Sequence, residues 1–266
     1  LDKLALLGID KDFLPKVVAF NEIVGRWNDV PICIAIGDNQ ASFLGSVKNN
    51  RESVLVNIGT GSQISAVGEI ENLGEGIEYR PFINGELLIC GSALCGGSAY
   101  AMIEEFFRSY TAFAGLGDRS QYGVINALAE RAYASGENTL SVDTSFCGMR
   151  TDPMRRGSIE NIELHHFTPS ALILGVINGM CDELYKLYLE GQMKKSHIVA
   201  SGGAIRKNHT LRKVLEDKFG MTVSINSVKE EAATGAALFS AYSIGMIEYK
   251  DGFGDYIKYV QEEDGK

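Results

Sequence analysis

The stretch SVLVNIGTGSQISAVG, Ser53 to Gly68, decides how this chain is read. Val54, Leu55, Val56 and Ile58 make an apolar, β-branched run that stops at Gly59-Thr60-Gly61, and Ile64, Ala66 and Val67 resume it. Two such runs around a Gly-bearing turn predict a β-hairpin. Glycines on either side of Thr60 also let the turn aim several backbone N–H groups at one point, an anion nest suited to phosphate. An ordinary hairpin turn uses the same residues, and the turn alone leaves both readings open.

Downstream, YRPFI and ELLIC flank Asn84-Gly85, the strongest short hairpin signal. The Gly-rich run GSALCGG (91–97) leads into a helix, where close helix packing is the simplest use of its glycines, and a second helix is expected over 121–134. Residues 140–160 read as irregular. Arg150, Arg155 and Arg156 there suit a solvated or salt-bridged loop with Asp152, the alternative being a phosphate-facing cluster. From Thr168 the pattern turns α/β. Thr168-Pro169-Ser170 supplies an N-cap, and Leu172, Val176, Met180 and Leu184 recur at i, i+4 along a helix over Ala171–Leu189. HIVASGG (197–203) reads as a buried strand ending in two glycines, over which a flat ligand rests where a Cβ would clash; a tight strand-to-helix turn is the plainer reading. A helix closed by Gly220, a strand over 221–225 and a small-residue helix over 230–245 that must pack closely complete the pattern.

Upstream, PICIAIGDNQ predicts a buried strand over Ile32–Ile36 that delivers Asp38 to a polar tip. A carboxylate so placed can take a proton from a hydroxyl. An Asp-Asn turn between strand and helix accounts for it equally.

Composition narrows the classes. The 266 residues carry 25 Lys+Arg against 34 Asp+Glu, a net charge of −9, with 45% hydrophobic and 22% charged residues. That balance is globular, and its acidity argues against nucleic acid or an anionic membrane as partner. There is no apolar run of about 18 residues to span a bilayer and no secretion signal at the start. Glycine is in excess, 30 residues where average usage gives roughly 19. Cys33, Cys90, Cys95, Cys147 and Cys181 are odd in number and form no CxxC, which reads as reduced thiols in a cytoplasmic protein. His165 and His166 are adjacent, which suits a turn better than metal ligation, and no metal site is expected.

Taken in order, the strand-Asp segment, the strand–GTG–strand, the Gly-rich helix entry, the strand-GG-helix and EEAATGAAL resemble the C-terminal half of FGGY-family carbohydrate kinases, over roughly residues 25–245. The wording AIGDNQASFLGSV, NIGTGSQISAV, FCGMRTDPMRRGSI and SGGAIRKN looks closest to sedoheptulokinase-like members. The resemblance implies an α/β domain of the actin/hexokinase/Hsp70-type (ribonuclease H-like) ATPase fold, a mixed sheet with flanking helices. It implies a remnant of an N-terminal sugar-binding domain over 1–50 and an ATP-binding domain over 51–266. It makes Asp38 the base for the sugar hydroxyl and Asn39 a substrate contact. Gly59, Thr60 and Gly61 become a phosphate loop, Gly97 a helix start against the nucleotide, and Gly202, Gly203 and Asn208 part of the adenosine site. The 230–238 helix is expected beside that site. The implied reaction is ATP-dependent phosphorylation of a primary hydroxyl of sedoheptulose or a related ketose, with Mg²⁺. Xylulose, ribulose, gluconate or glycerol are the alternative substrates, and a nucleotide-binding regulator or filament-type ATPase is the alternative class.

One departure is large. Members of the family are about twice as long, and their first phosphate loop, of DxGT type, carries the metal-holding carboxylate. The nearest sequence here is Asn57-Ile58-Gly59-Thr60, with a neutral amide in the acidic place. The chain is therefore expected to be a C-terminal portion, inactive alone, with apolar residues near 1–50 open to self-association.

Overall fold

The structure, a computed structural model, describes residues 2–69, 71–72, 74–137 and 140–260; the expected C-terminal domain's last six residues, 261–266, lie outside the described ones. In chain order the elements are α1 (Asp2–Leu6), β1 (Ile23–Trp27), β2 (Val30–Cys33), α2 (Asp38–Leu44), β3 (Ser53–Ile58), β4 (Ser62–Gly68), β5 (Ile77–Pro81), β6 (Leu87–Ala93), α3 (Gly97–Phe113), α4 (Tyr122–Ser135), β7 (Ser141–Asp143), β8 (Ser158–Glu160), α5 (Pro169–Glu190), β9 (His197–Ser201), α6 (Gly203–Lys207), α7 (His209–Phe219), β10 (Thr222–Ile225) and α8 (Glu231–Ser243).

Six strands form one sheet in the order β10-β9-β3-β4-β6-β5. β10, β9 and β3 run parallel. The remaining pairs, β3–β4, β4–β6 and β5–β6, are antiparallel. The expected mixed sheet with flanking helices is what forms. Both hairpins read from the sequence are present. Asn84 (φ 54°) and Gly85 (φ 79°) lie inside a five-residue connection between β5 and β6, closed by the Phe82 N–H to the Glu86 carbonyl at 2.8 Å.

Strand residues alternate between faces, and the alternation divides the core. Val54, Val56 and Ile58 of β3, with Ile198 and Ala200 of β9, pack with residues of α3, α4, α5 and α7. Leu55 and Val199, with Leu88 and Cys90, face the opposite way, onto Phe43 and Leu44 of α2 and Phe239 of α8. α5 is buried nearly all round, including Leu172, Val176, Met180 and Leu184. Its Thr168 Oγ1 accepts the Ala171 N–H at 3.1 Å, the predicted cap.

The small-residue helix α8 packs closely, as its composition requires, but its partner is α2. A Cβ on Gly45 would meet the Gly235 backbone N at 2.6 Å, and one on Gly235 the Gly45 backbone N at 2.8 Å. That contact places α8 on the Asp38 side of the sheet, while its first residue, Glu231, pairs with Arg206 of α6 at 2.7 Å, the helix that begins at Gly203.

The segment before α2 also differs from expectation. The strand over Ile32–Ile36 is instead β2, Val30–Cys33, paired with β1 across an Asn28-Asp29 turn in which both residues have positive φ. This turn geometry suits a two-residue hairpin, and it draws the apolar run into a separate ribbon whose residues are exposed or half-buried. Ile34 and Ile36 leave the ribbon and pack against the second core cluster. Elsewhere in the first fifty residues Leu6, Phe13 and Val17 are 84% exposed or more.

Gly235→Ala forces α2 and α8 apart and is expected to cost about 1–3 kcal/mol, lowering the melting temperature by several degrees. Gly123, on α4 with open space where its Cβ would stand, is the control. Gly123→Ala should be neutral or gain up to about 1 kcal/mol of helix propensity. Thermal unfolding of the two variants checks the contrast.

Candidate functional site

β3 and β4 are joined by Gly59-Thr60-Gly61, and the turn is held by its carbonyls. The Gly59 carbonyl accepts the Gly97 N–H at 2.8 Å. The Thr60 carbonyl accepts three donors: the N–H groups of Gly96 (2.9 Å) and Ser98 (3.1 Å) and the Ser98 hydroxyl (2.9 Å). The first N–H groups of α3 are thereby consumed by the turn. The N–H groups of Gly59, Thr60 and Gly61 have no acceptor among the described residues, and Gly59 and Thr60 are exposed. Exposed backbone donors at such a turn have the chemistry to meet an anion.

A cleft of about 630 Å³ opens on this turn. It brings together Gly59, Thr60, Gly97, Gly203 and Asn208, five of the seven residues expected to bind nucleotide. Gly61 and Gly202 are not in its lining. A Cβ on Gly61 would stand 2.9 Å from the Ala93 carbonyl oxygen, and Gly202 has φ +96° with the Ile58 backbone against it. These two glycines let β6, β3 and β9 come together. Gly59 has nothing nearer than 3.9 Å and Gly203 nothing within 4 Å, so the chain's own packing does not demand a glycine at either. Both line the cleft.

The apolar wall opposite was not read from the sequence. Tyr100, Tyr122, Ile177 and Met180 line it. The Tyr100 hydroxyl donates to Asn126 Oδ1 at 2.7 Å. Burial raises the phenol of Tyr100, and that of Tyr122, above the ordinary range, so both stay neutral. Asn208 has a second task, its Oδ1 capping α7 by accepting the Leu211 N–H at 3.0 Å. Lys207 supplies a cation at the rim.

Asp38 lies across the turn. It is the first residue of α2, exposed, with Gly37 before it, and its Oδ1 accepts the Asn39 N–H at 2.7 Å. With Asn57, Gln63 and Arg80 it lines a second hollow of about 290 Å³. Asn57 belongs there because it shares the β3 face of Leu55. The side chain of Asn39 is engaged by the scaffold. Its amide donates to Gln63 Oε1 at 2.5 Å, and its Oδ1 accepts from the Cys90 thiol at 3.3 Å. Gln63 reaches on to Ser92 Oγ at 3.3 Å. These bonds fasten the start of α2 to β4 and β6.

The arginine loop is salt-bridged, as its bland reading had it. Arg150 pairs with Glu78 and Arg155 with Asp143, each at 2.6 Å, and Arg156 donates to the Pro153 carbonyl at 3.0 Å. All five cysteines are free thiols. Among the described residues no three His, Cys, Asp or Glu side chains converge on a common point, and no helix is long and apolar enough to cross a membrane.

Comparison with known proteins gives a family and a fold. The family described as "FGGY family of carbohydrate kinases, C-terminal domain" matches residues 73–244. The glycerol kinase of Staphylococcus epidermidis is 28% identical over 270 residues, covering 93% of this chain and 51% of that protein. Among solved structures, gluconate kinase from Lactobacillus acidophilus aligns with a TM-score of 0.82 at 18% identity, over 98% of this chain and 55% of its own. Xylulose kinase from the same organism gives 0.81 at 18% identity, with the same coverage. The chain spans about half the length of the curated relatives it matches, and the structural likeness gives the fold.

Adjacent glycines should answer differently to a methyl group. Gly202→Ala is expected to lose about 1–3 kcal/mol through positive φ and the Ile58 backbone. Gly203→Ala should stay within about 0.5 kcal/mol of the parent. Equal losses in thermal unfolding would mean that Gly203 also serves the fold.

Proposed function

This chain belongs to the FGGY family of carbohydrate kinases, and we propose that it supplies the nucleotide site and the base of an ATP-dependent kinase acting on a sugar's primary hydroxyl. One observation carries the reading: the Gly59–Gly61 turn, with its unpaired N–H groups, separates a cleft lined by Gly59 and Gly203 from a hollow lined by Asp38 and Asn57. A phosphate chain on the turn lies between a nucleoside on one side and a hydroxyl on the other.

In this arrangement the adenosine rests on Gly203 and Asn208 against Tyr100, and the phosphates take the donors of Gly59, Thr60 and Gly61. Asp38 accepts the hydroxyl's proton as the oxygen attacks the γ-phosphate in line. Positioning and charge stabilisation supply most of the acceleration in phosphoryl transfer. Mg²⁺ travels with the ATP, since a hard cation favours anionic oxygens and Asn57 offers a neutral amide. Asn39 acts chiefly through the start of α2, with the substrate contact as a second role. The division near residue 50 is functional: residues 1–50 carry the base and part of the sugar side, while α2 is seated on α8 of the nucleotide-binding part. The exposed Leu6, Phe13 and Val17 are the surface for the rest of the sugar domain or for a second copy.

A ketose is the proposed acceptor, with sedoheptulose first. Glycerol, xylulose and gluconate, named for its relatives, are the other arms of the assay. In the full-length enzyme Asp38→Asn should lower turnover by about 10²–10⁴ and leave ATP affinity unchanged; near-parental turnover would remove Asp38 from the mechanism. Gly59→Val and Gly203→Val should each weaken ATP binding by about tenfold or more, 1.4 kcal/mol, when titrated by calorimetry. ATP hydrolysis at a rate indifferent to every sugar would favour the filament-type or regulatory alternative.

A further inference from the structure

β5 is an edge strand of the six-stranded sheet, and its pairing with β6 sets Glu78 opposite Cys90 and Arg80 opposite Leu88. Cys90 and Leu88 belong to the core cluster that includes Phe43 and Leu44 of α2. Residues directly opposite each other in a strand pair share a face, so Glu78 and Arg80 stand on the Asp38 side of the sheet. There Arg80 lines the hollow of about 290 Å³ together with Asp38, Asn57, Gln63 and Ser65. It brings a cation to the same hollow as the carboxylate of Asp38.

Arg80 is held from one side. Its Nη2 donates to Glu78 Oε2 at 3.2 Å, and Glu78 Oε1 accepts from Arg150 Nη1 at 2.6 Å. Among the described residues Glu78 is the group that Arg80 bonds to. The side chain is 30% exposed, so the other N–H donors of its fork remain for a ligand. The register also separates Arg80 from the phosphate turn. Across β6 it is level with Val67 of β4, and Val67 lies about 20 Å along the strand from Gly61 at the usual rise per residue. Arg80 therefore enters the hollow from the side away from the turn. A guanidinium fork donates parallel N–H bonds to a pair of oxygens, and on the acceptor side of Asp38 such a pair is two neighbouring hydroxyls of a sugar.

We propose that Arg80 is a specificity-determining residue for the acceptor: its fork donates to neighbouring hydroxyl oxygens of a polyhydroxy chain whose reacting hydroxyl lies at Asp38. The proposal rests on the function given above and names the part of the acceptor that is recognised. Glu78 is a positioning residue, and Arg150 steadies its second oxygen, so the 144–157 loop reaches the acceptor through two ion pairs. Ion pairs as exposed as that of Arg150 and Glu78 add little to stability. What this one fixes is the direction of the Arg80 fork.

The test uses the full-length enzyme, with sedoheptulose, xylulose, gluconate and glycerol as acceptors. Arg80→Gln should raise KM for the preferred sugar about 10- to 100-fold, with kcat and the KM for ATP near the parent's. Arg80→Lys keeps the charge without the fork and should recover little of the loss. Glu78→Gln should raise the same KM by less, and should add nothing in the Arg80→Gln background, as expected of two residues acting as a unit. Arg156→Gln, whose guanidinium serves the Pro153 carbonyl, should behave as the parent. An unchanged sugar KM in Arg80→Gln would overturn the proposal, and a raised KM for ATP in its place would move Arg80 to the phosphates. A loss confined to gluconate would give the fork to a carboxylate and overturn the hydroxyl assignment. If the parent turns over no sugar, the function proposed above fails, and calorimetry of the same sugars with parent and Arg80→Gln still decides the role of Arg80. Equal affinities, or binding by neither, would then overturn it.

Discussion

The Thr60 carbonyl is the fixed point of this molecule. It accepts three hydrogen bonds from the entry to α3, and the Gly59 carbonyl takes a fourth. Backbone donors and acceptors are obligatory partners, so a turn secured only through its carbonyls presents its N–H groups outward. The same bonds require backbone to approach backbone at Gly96 and Gly97, where a Cβ would press on Gly61 and Gly59. The glycine excess in this region is thus divided between two demands. Some glycines let the scaffold close, and others keep a surface open.

The sheet converts that local constraint into a site. β3 ends in Asn57-Ile58-Gly59. Ile58 points into the larger core cluster, and Asn57 points with Leu55 toward α2. A single strand end therefore reaches both sides of the sheet. α2 brings Asp38 to one side because α8 is made of residues small enough to receive it. α6 and α7 bring Gly203 and Asn208 to the other. Arg206 of α6 binds the carbonyls of Asn226 and Val228 and the carboxylate of Glu231 at the start of α8, the last at 2.7 Å, so the two sides are braced to one another near the strand ends.

Much of this was legible in the sequence where local chemistry decides it. The β3–β4 turn, the Asn84-Gly85 connection, the Thr168 cap and the Gly220 stop each depend on residues within a few positions. The ribbon of β1 and β2 was not legible as such, because an apolar run does not reveal whether its partner lies in the same chain. The adjacent letters Gly202 and Gly203 look equivalent, yet one is fixed by a positive φ and the other faces open cleft. Tyr100, Asn126 and Lys207 carry no local signal, and only the seating of α3 and α4 on α5 and α7 brings them to the cleft. The packing of α8 on α2 was legible only in part: small residues announce close packing without naming the partner. The Asn39–Gln63 bond joins residues 24 apart and redirects a side chain expected to face substrate.

The central claim is that the free N–H groups of Gly59, Thr60 and Gly61 receive phosphate. Proton–nitrogen correlation NMR of the labelled chain, titrated with ATP and in parallel with adenosine, tests it most directly. The account predicts that ATP shifts the amide signals of these three residues, that adenosine leaves them in place, and that both ligands shift Gly203 and Asn208. Amide signals at 59–61 that remain unmoved by ATP while Gly203 responds would contradict it.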